Sequence, residues 1–168
     1  MTRTLILMRH AKSSWDHPAL SDHDRPLNKR GRAAAVALGG WLRDAGWQPD
    51  QALVSDSIRT RATFAGLDLP IEAEFTGALY HANPTDMQLV LEMARGDTVL
   101  MIGHNPGISE FAEILARTPP DHRKFHDFPT GATIVLRFDI DTWDALDTGQ
   151  GEVLDFITPR DLTDTPPE

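Results

Sequence analysis

Three short segments combine histidine, arginine and possible helix starts in a way that could carry phosphoryl chemistry. Arg9 and His10 follow one apolar run, residues 55–59 follow a second and end in Arg59, and His104 follows a third. Guanidinium groups donate paired hydrogen bonds that match phosphate oxygens, and helix N-termini attract anions. Taken alone, a histidine at a strand end is more often a polar group hydrogen-bonded to the backbone, and an arginine there is more often part of a surface ion pair. Together they predict a phosphoryl group as the ligand.

The same residues suggest a reaction, because a neutral imidazole can attack phosphorus. Arg9, Arg59 and a protonated His104 nearby are expected to lower the pKa of His10 and keep it neutral. These cations would also stabilise the charge on the oxygens of the transferring group. We therefore expect His10 to be the nucleophile.

Metal and nucleotide chemistry are less favoured by the motifs. The sequence has no Gly-rich phosphate loop ending in Lys-Ser/Thr, which argues against a nucleoside triphosphatase. His122 and His126 have a spacing that can bind zinc on a helix, but Arg123 and Lys124 lie between them and two prolines precede them. A structural metal there is the lesser alternative, and we expect neither a metal nor another cofactor.

Alternating short apolar runs and helical patterns must position these segments. This order predicts an α/β domain with a mainly parallel sheet, in which ligands bind beyond the carboxyl ends of the strands. Two late strands, without a long helix between them, are expected to pair as a hairpin or at an edge. The predicted strands are residues 4–8, 51–55, 71–75, 98–102, 132–138 and 152–157. The predicted helices begin after Asn28, Ser57, Asn83 and Asn105 and end near residues 45, 66, 95 and 116.

Length and composition limit the remaining possibilities. A chain of 168 residues predicts one domain, here residues 1–157, followed by a frayed acidic and proline-rich tail over residues 158–168. The net charge of −9 argues against nucleic-acid binding, and no apolar run is long enough for a membrane span. Cysteine is absent and the N-terminal apolar stretch is too short for a signal peptide, so we expect a cytoplasmic protein, a monomer by default.

Four blocks of the sequence carry a resemblance to a known family. Residues 8–16 read Met-Arg-His-Ala-Lys-Ser-Ser-Trp-Asp, and the other blocks are residues 24–31, 55–63 and 103–107. In this order they resemble the histidine phosphatase superfamily, also called phosphoglycerate-mutase-like, and within it the SixA-like phosphohistidine phosphatases. The resemblance implies a three-layer α/β/α sandwich whose mostly parallel sheet has an antiparallel edge strand.

The resemblance also implies roles for individual residues. His10 would become a phosphohistidine, and Arg9, Arg59 and His104 would hold the phosphoryl oxygens before water hydrolyses the intermediate. Further candidates for contacts with phosphate or substrate are Lys12, Ser13, Asp16 and His81. Many superfamily members have asparagine where Asp16 stands, and its carboxylate would repel phosphate, so Asp16 could instead hold Arg59 or face solvent.

A general acid is missing where the family implies one. Larger superfamily members carry a carboxylate in the segment that corresponds to residues 75–82, and this sequence has none there. An alkyl ester needs such an acid for its poor leaving group, whereas the imidazole of a phosphohistidine departs easily. The sequence thus favours a phosphoramidate substrate, although His81 could supply the proton.

The leading hypothesis is a metal-independent phosphatase acting on a phosphohistidine-bearing protein. The alternatives are a phosphatase of small phosphomonoesters and a noncatalytic module that binds phosphate or another oxyanion. Of the nearby residues, Arg25 is expected to form a structural ion pair. Trp15, Trp41 and Trp47 are expected to serve in packing rather than as a stacking platform.

Overall fold

A six-stranded sheet with helices on both faces organises the chain, and the computed structural model describes residues 1–163. The strands are β1 (Arg3–Arg9), β2 (Gln51–Ser55), β3 (Ala73–Thr76), β4 (Thr98–Gly103), β5 (Thr133–Phe138) and β6 (Glu152–Ile157). The α-helices are α1 (Lys29–Ala45), α2 (Ile58–Leu67), α3 (Pro84–Glu92), α4 (Gly107–Leu115) and α5 (Pro159–Thr163). Three 3-10 turns span Asp22–Asp24, Gly77–Leu79 and Trp143–Ala145. The α/β fold and its sandwich architecture are those expected from the sequence.

The sheet has the strand order β3-β2-β4-β1-β5-β6. β1, β2, β3 and β4 pair in parallel, while β5 pairs antiparallel with both β1 and β6. The late strands β5 and β6 pair with each other, as predicted, but the antiparallel strand is not at the edge. β5 is antiparallel to both of its neighbours because it pairs with β1 and the chain then turns back along it, so the edge strand β6 runs in the same direction as β1. The parallel strands end at one rim, and this rim receives the residues that follow β1, β2 and β4.

Alternation along β1 divides the apolar core between the two faces of the sheet. Leu5 and Leu7 pack into the cluster that includes α3 and α4, whereas Ile6 and Met8 pack into the cluster that includes α1 and α2. All four side chains are fully buried. Successive side chains of a strand point to opposite faces, so a continuous apolar run is what a strand covered on both faces requires.

Local signals fix most helix ends. The side chain of Asn28 accepts a hydrogen bond from the Gly31 amide to cap α1, and Gly46, with a φ of 78°, ends it. Helix α3 begins at the predicted position but ends at Glu92 rather than near residue 95. The amides of Arg95 and Gly96 instead donate to Oε1 of Gln51, which draws the chain out of the helix and into β4.

The beginning of the predicted tail is part of the fold. Residues 158–163 are not frayed: Thr158 is buried, and its amide and hydroxyl both donate to Oδ2 of Asp161 at the start of α5. Leu162 packs against the core on the α1 side of the sheet. The rest of that predicted tail, residues 164–168, lies outside the described residues. Among the helices of residues 1–163, none is long and apolar enough to cross a membrane.

Candidate active site

The carboxyl ends of β1, β2 and β4 surround a cavity of about 340 Å³. Arg9 and His10 reach it from the end of β1, Arg59 from the first turn of α2, and His104 from the end of β4. The remaining lining residues are Lys12, Ser13, Trp15, Asp22, Arg25, His81, Asn105 and Thr130. The fold thus brings together the four residues to which the sequence assigns chemistry.

Backbone contacts from three directions fix the segment that carries His10. The His10 amide donates to the Gly103 carbonyl at 3.1 Å, and the Gly131 amide donates to the His10 carbonyl at 2.9 Å. The Ala11 amide donates to the hydroxyl of Thr63 on α2, which in turn donates to the Arg59 carbonyl. Thr63 therefore sets the position of α2, and with it Arg59, relative to His10.

The hydrogen bond of His10 determines which of its ring nitrogens is free. Nδ1 lies 2.7 Å from the carbonyl oxygen of Ala11, and because a carbonyl only accepts, Nδ1 carries the proton. Nε2 of the neutral ring then keeps its lone pair. The pKa of His10 is lowered to about 3, mainly by burial and also by the charges of Arg59, Arg9 and Arg25, which together outweigh the opposite effect of the hydrogen bond to Ala11. His10 is therefore neutral at physiological pH and has the tautomer that a nucleophilic Nε2 requires.

His104 is neutral as well, which corrects the expectation that it would be protonated. Its pKa is lowered to about 3, first by burial and then by His10 and Arg59. Its Nδ1 accepts from Nη2 of Arg59 at 3.3 Å, and its Nε2 donates to Oγ of Ser55 at 2.8 Å. The rings of His10 and His104 lie 5.3 Å apart, centre to centre, so two charged imidazoles would repel each other in a poorly solvated site.

Arg9 and Arg59 line the cavity, and each has a donor without an acceptor among the described residues. Arg9 donates from Nη1 to the Phe128 carbonyl at 3.2 Å, and Arg59 is held by Asp22. The Nε atoms of both arginines are buried without a hydrogen-bond partner among the described residues. Buried donors without acceptors are costly, and an oxyanion would supply acceptors to this pair of guanidinium groups. The charge and the donors both favour a phosphoryl ligand.

Asp22 is a site residue that the sequence did not reveal. Its backbone carbonyl and its carboxylate both accept from Arg59, at 2.6 and 3.0 Å, and the carboxylate also accepts from Arg25 and from the Tyr80 hydroxyl. The Tyr80 hydrogen bond, ahead of those from Arg59 and Arg25, holds the pKa of Asp22 well below its usual range. Asp22 lies in a polar loop between two of the recognised blocks, where no periodicity marks a role.

The loop that follows β1 also contributes Ser13, Arg25 and Trp15. Nη1 of Arg25 donates to the hydroxyl of Ser13 at 2.7 Å, and Arg25 pairs with Asp22. Arg25 thus forms the expected ion pair and lines the cavity as well. Trp15 is not a packing residue: its side chain is 77% exposed, and the Arg25 guanidinium lies 3.6 Å from its ring centre.

The other predicted contact residues differ in position. Lys12 lines the cavity from an exposed position, and His81 lies at its mouth with Nε2 3.7 Å from the Asp22 carboxylate. Asp16 is exposed and does not line the cavity. Of the two alternatives for Asp16, contact with solvent is the one the structure shows, because Asp22 holds Arg59.

His122 and His126 do not converge on a common point. His122 pairs with Asp161 and His126 with Glu113, each at 2.8 Å. Within residues 1–163, no group of three or more histidine, aspartate or glutamate side chains is arranged to hold a metal ion.

Comparison with known proteins agrees with this geometry. Residues 5–79 match the model of the histidine phosphatase superfamily, branch 1. Over 162 residues the chain is 35% identical to an uncharacterized protein of Mycobacterium tuberculosis, with 91% of this chain and 100% of that protein covered. An uncharacterized chloroplastic protein of Arabidopsis thaliana is 35% identical over 131 residues, which cover 69% of this chain and 60% of the relative.

A solved structure extends the comparison to the whole fold. A protein of Nakamurella multipartitia, described as a candidate phosphohistidine phosphatase SixA, superposes with a TM-score of 0.84 at 29% identity. The superposition covers 95% of this chain and 97% of that one. Its phosphatase assignment fits the oxyanion cavity described above, and the resemblance noted in the sequence is confirmed. The chain is a phosphatase that belongs to the histidine phosphatase superfamily, in its SixA-like branch.

Proposed function

We propose that this protein removes the phosphoryl group from phosphohistidine on a protein, through a covalent phosphohistidine at His10 and without a metal ion. The observation that carries the proposal is the hydrogen bond from Nδ1 of His10 to the Ala11 carbonyl. It leaves the lone pair of Nε2 free in a cavity that three guanidinium groups line. A nucleophile and the charge to stabilise a transferring phosphoryl group are thus present together.

In the first step, Nε2 of His10 attacks phosphorus and the bond between phosphorus and the substrate nitrogen breaks. The electron pair of that bond returns to the substrate imidazole, which already carries a proton on its other nitrogen and departs neutral. Arg9 and Arg59 stabilise the charge on the phosphoryl oxygens. Nδ1–H of His10 keeps its hydrogen bond to Ala11, which orients the ring as it gains positive charge.

In the second step, water attacks the phosphorus of phosphorylated His10. The new oxygen–phosphorus bond replaces the bond to Nε2, whose electron pair returns to the ring. One proton of the water passes to the phosphate product, and neutral His10 is restored. Arg59 holds the departing phosphate, and Nδ1 of His104 accepts from Nη2 of Arg59, which orients that guanidinium.

The carboxylates of the site favour a phosphoramidate over an alkyl phosphate. Of the described residues that line the cavity, only Asp22 is a carboxylate, and its lowered pKa keeps it ionised. Glu74, which precedes the segment where the family implies an acid, is exposed, accepts a hydrogen bond from Gln51 and does not line the cavity. An alkoxide leaving group would find no protonated carboxyl here, whereas an imidazole needs none.

The entrance of the cavity favours a phosphoryl group that is borne by a protein. Trp15 and His81 stand at the mouth with side chains 77% and 63% exposed. Exposed aromatic rings beside a buried charged site are typical of surfaces that contact another protein.

The test compares phosphate release from a phosphohistidine peptide and from an alkyl phosphate ester, in the presence of a chelator. We expect the peptide to react at least about a hundredfold faster, because the site supplies no general acid to protonate the leaving group of the ester. His10→Ala abolishes both reactions. His126→Ala, at an exposed histidine outside the cavity, retains the preference of the unmodified protein.

Three results would contradict the proposal. A preference for the ester means that a side chain donates a proton, and loss of that preference in His81→Ala would identify His81 and favour a phosphomonoester phosphatase. Loss of activity to the chelator would contradict metal independence. Binding of the peptide without turnover would favour a noncatalytic module.

A further inference from the structure

A second cavity, of about 360 Å³, adjoins the active site. Lys12 and Thr130 line both cavities, so the two are continuous along these residues. The other lining residues of the second cavity are Arg30, Ala33 and Ala34 of α1 together with Pro159, Arg160 and Thr163 of α5. We call this second cavity the basic groove.

The charge of the groove is opposite to that of the chain. Among the residues that the structure describes, six cationic side chains and one carboxylate, that of Asp22, line the basic groove and the active-site cavity. The six are Arg9, Lys12, Arg25, Arg30, Arg59 and Arg160. The whole sequence has 16 lysines and arginines against 25 aspartates and glutamates. Six of the 16 cations therefore lie at a surface where residues 1–163 supply a single acid.

Two close backbone contacts hold the walls of the groove in place. Gly31 packs so tightly that a Cβ there would lie 2.0 Å from the Lys12 carbonyl oxygen, which fixes the start of α1 against Lys12. On the other side, a Cβ on Gly131 would lie 2.5 Å from Pro159. The Gly131 amide donates to the His10 carbonyl, so the same residue contacts both the wall of the groove and the backbone of the nucleophile.

Two cations of the groove are available to a ligand. Within residues 1–163, neither the ammonium group of Lys12 nor the guanidinium group of Arg30 pairs with a carboxylate. Both side chains are exposed. Unpaired cations on a fixed frame attract anionic groups, and their effect on binding decreases with salt.

We infer that the basic groove binds aspartate or glutamate side chains that flank the phosphohistidine of the substrate protein. This inference rests on the proposed function and adds the feature by which the substrate is selected. A phosphohistidine at His10 would place neighbouring residues of its chain along Lys12 and toward Arg30. Carboxylates at those positions would meet the unpaired cations of Lys12 and Arg30.

The test uses two phosphohistidine peptides of equal length that differ only in having aspartate and glutamate, or asparagine and glutamine, around the phosphohistidine. At low salt, the unmodified protein should have a kcat/KM about tenfold higher for the acidic peptide, and high salt should reduce the ratio. Arg30→Glu should lower this ratio to about one or below. Arg95→Glu makes the same change in net charge on an exposed residue just before β4, at the opposite end of the sheet, and should retain the preference.

The outcomes separate this inference from the proposed function. Hydrolysis of both peptides at equal rates, unaltered by Arg30→Glu, would overturn the role of the groove and leave the proposed function intact. Hydrolysis of neither peptide would contradict the proposed function. An equal fall of the ratio in Arg95→Glu would show that overall charge, and not the groove, selects the acidic peptide.

Discussion

The active-site cavity and the cavity at the β6 edge differ in the partners of their histidines, and the larger cavity is not the active site. The edge cavity is larger, about 490 Å³ against about 340 Å³, and lies between residues 117–122 and β6. Its single histidine, His122, is paired with the carboxylate of Asp161. In the active site, His10 and His104 are buried beside arginines and have no carboxylate partner among the described residues.

This difference shows what prepares a histidine for nucleophilic chemistry. Both ring nitrogens of His122 have hydrogen-bond partners, the Asp161 carboxylate and the Lys124 amide, so neither is free to attack a substrate. Burial and neighbouring guanidinium groups keep His10 neutral and its lone pair available. We therefore expect substitutions in the active-site cavity to change catalysis and matched substitutions in the edge cavity to change it little.

The largest contrast is expected between Arg59→Gln and Arg117→Gln. Arg59 contacts His104 and Asp22 in the active site, whereas Arg117 lines the edge cavity and donates from Nη2 to the Gln150 carbonyl. Loss of the Arg59 charge should lower kcat for a phosphohistidine peptide by about a hundredfold or more, because it stabilises the transferring oxygens. Arg117→Gln should stay within about twofold. Similar losses in both variants, measured by phosphate release, would contradict the assignment of the site.

A smaller contrast is expected between Asp22→Asn and Asp155→Asn. Asp22 orients Arg59 and Arg25 without carrying the reaction itself, and Asp155 lines the edge cavity. Asp22→Asn keeps the shape of the side chain but removes its charge. We expect kcat/KM to fall about tenfold, which is typical when a residue that orients a substrate-contacting side chain is lost. Asp155→Asn should have little effect. An unchanged rate in Asp22→Asn would show that Arg59 needs no such support.

The smallest effect is on the pH dependence of stability. The pKa of His104 in the folded protein, about 3, lies below its unfolded value of 6.5, so the unfolded chain binds the proton more tightly between these values. The contribution of neutral His104 to the free energy of unfolding is fully present above pH 6.5 and is lost as the pH falls toward 3. Between pH 6 and 4, the free energy of unfolding of His104→Gln should therefore fall less steeply than that of the unmodified protein, by up to about 1 kcal/mol per pH unit. Urea denaturation at several pH values measures both slopes, and equal slopes would contradict a buried neutral His104.

Much of the fold follows from local sequence patterns. The buried strands are short apolar runs, and Asn28 and Asn83 cap α1 and α3 where expected. The position of Arg9, His10, Arg59 and His104 at one rim follows from the topology of a parallel sheet. These features depend on neighbours in sequence or on a general rule of the fold.

The parts of the site that could not be predicted depend on contacts between distant loops. Asp22 acquires its role from Tyr80, 58 positions away, and from Arg59, 37 positions away. Trp15 contacts Arg25 rather than the core because it lies in an exposed run of the loop after β1, residues 15–22. The protonation of His104 depends on how deeply it is buried, and a sequence does not state that depth.

Trapping the covalent intermediate shows whether His10 receives the phosphoryl group. The protein is mixed with a phosphohistidine peptide, quenched within milliseconds in alkaline denaturant, and digested for mass spectrometry of the peptide that contains residues 9–12. We predict a phosphoryl group on His10 in the unmodified protein and none anywhere in His10→Asn, which folds but releases no phosphate. A phosphoryl group on another residue, or steady turnover by His10→Asn, would show that His10 is not the nucleophile.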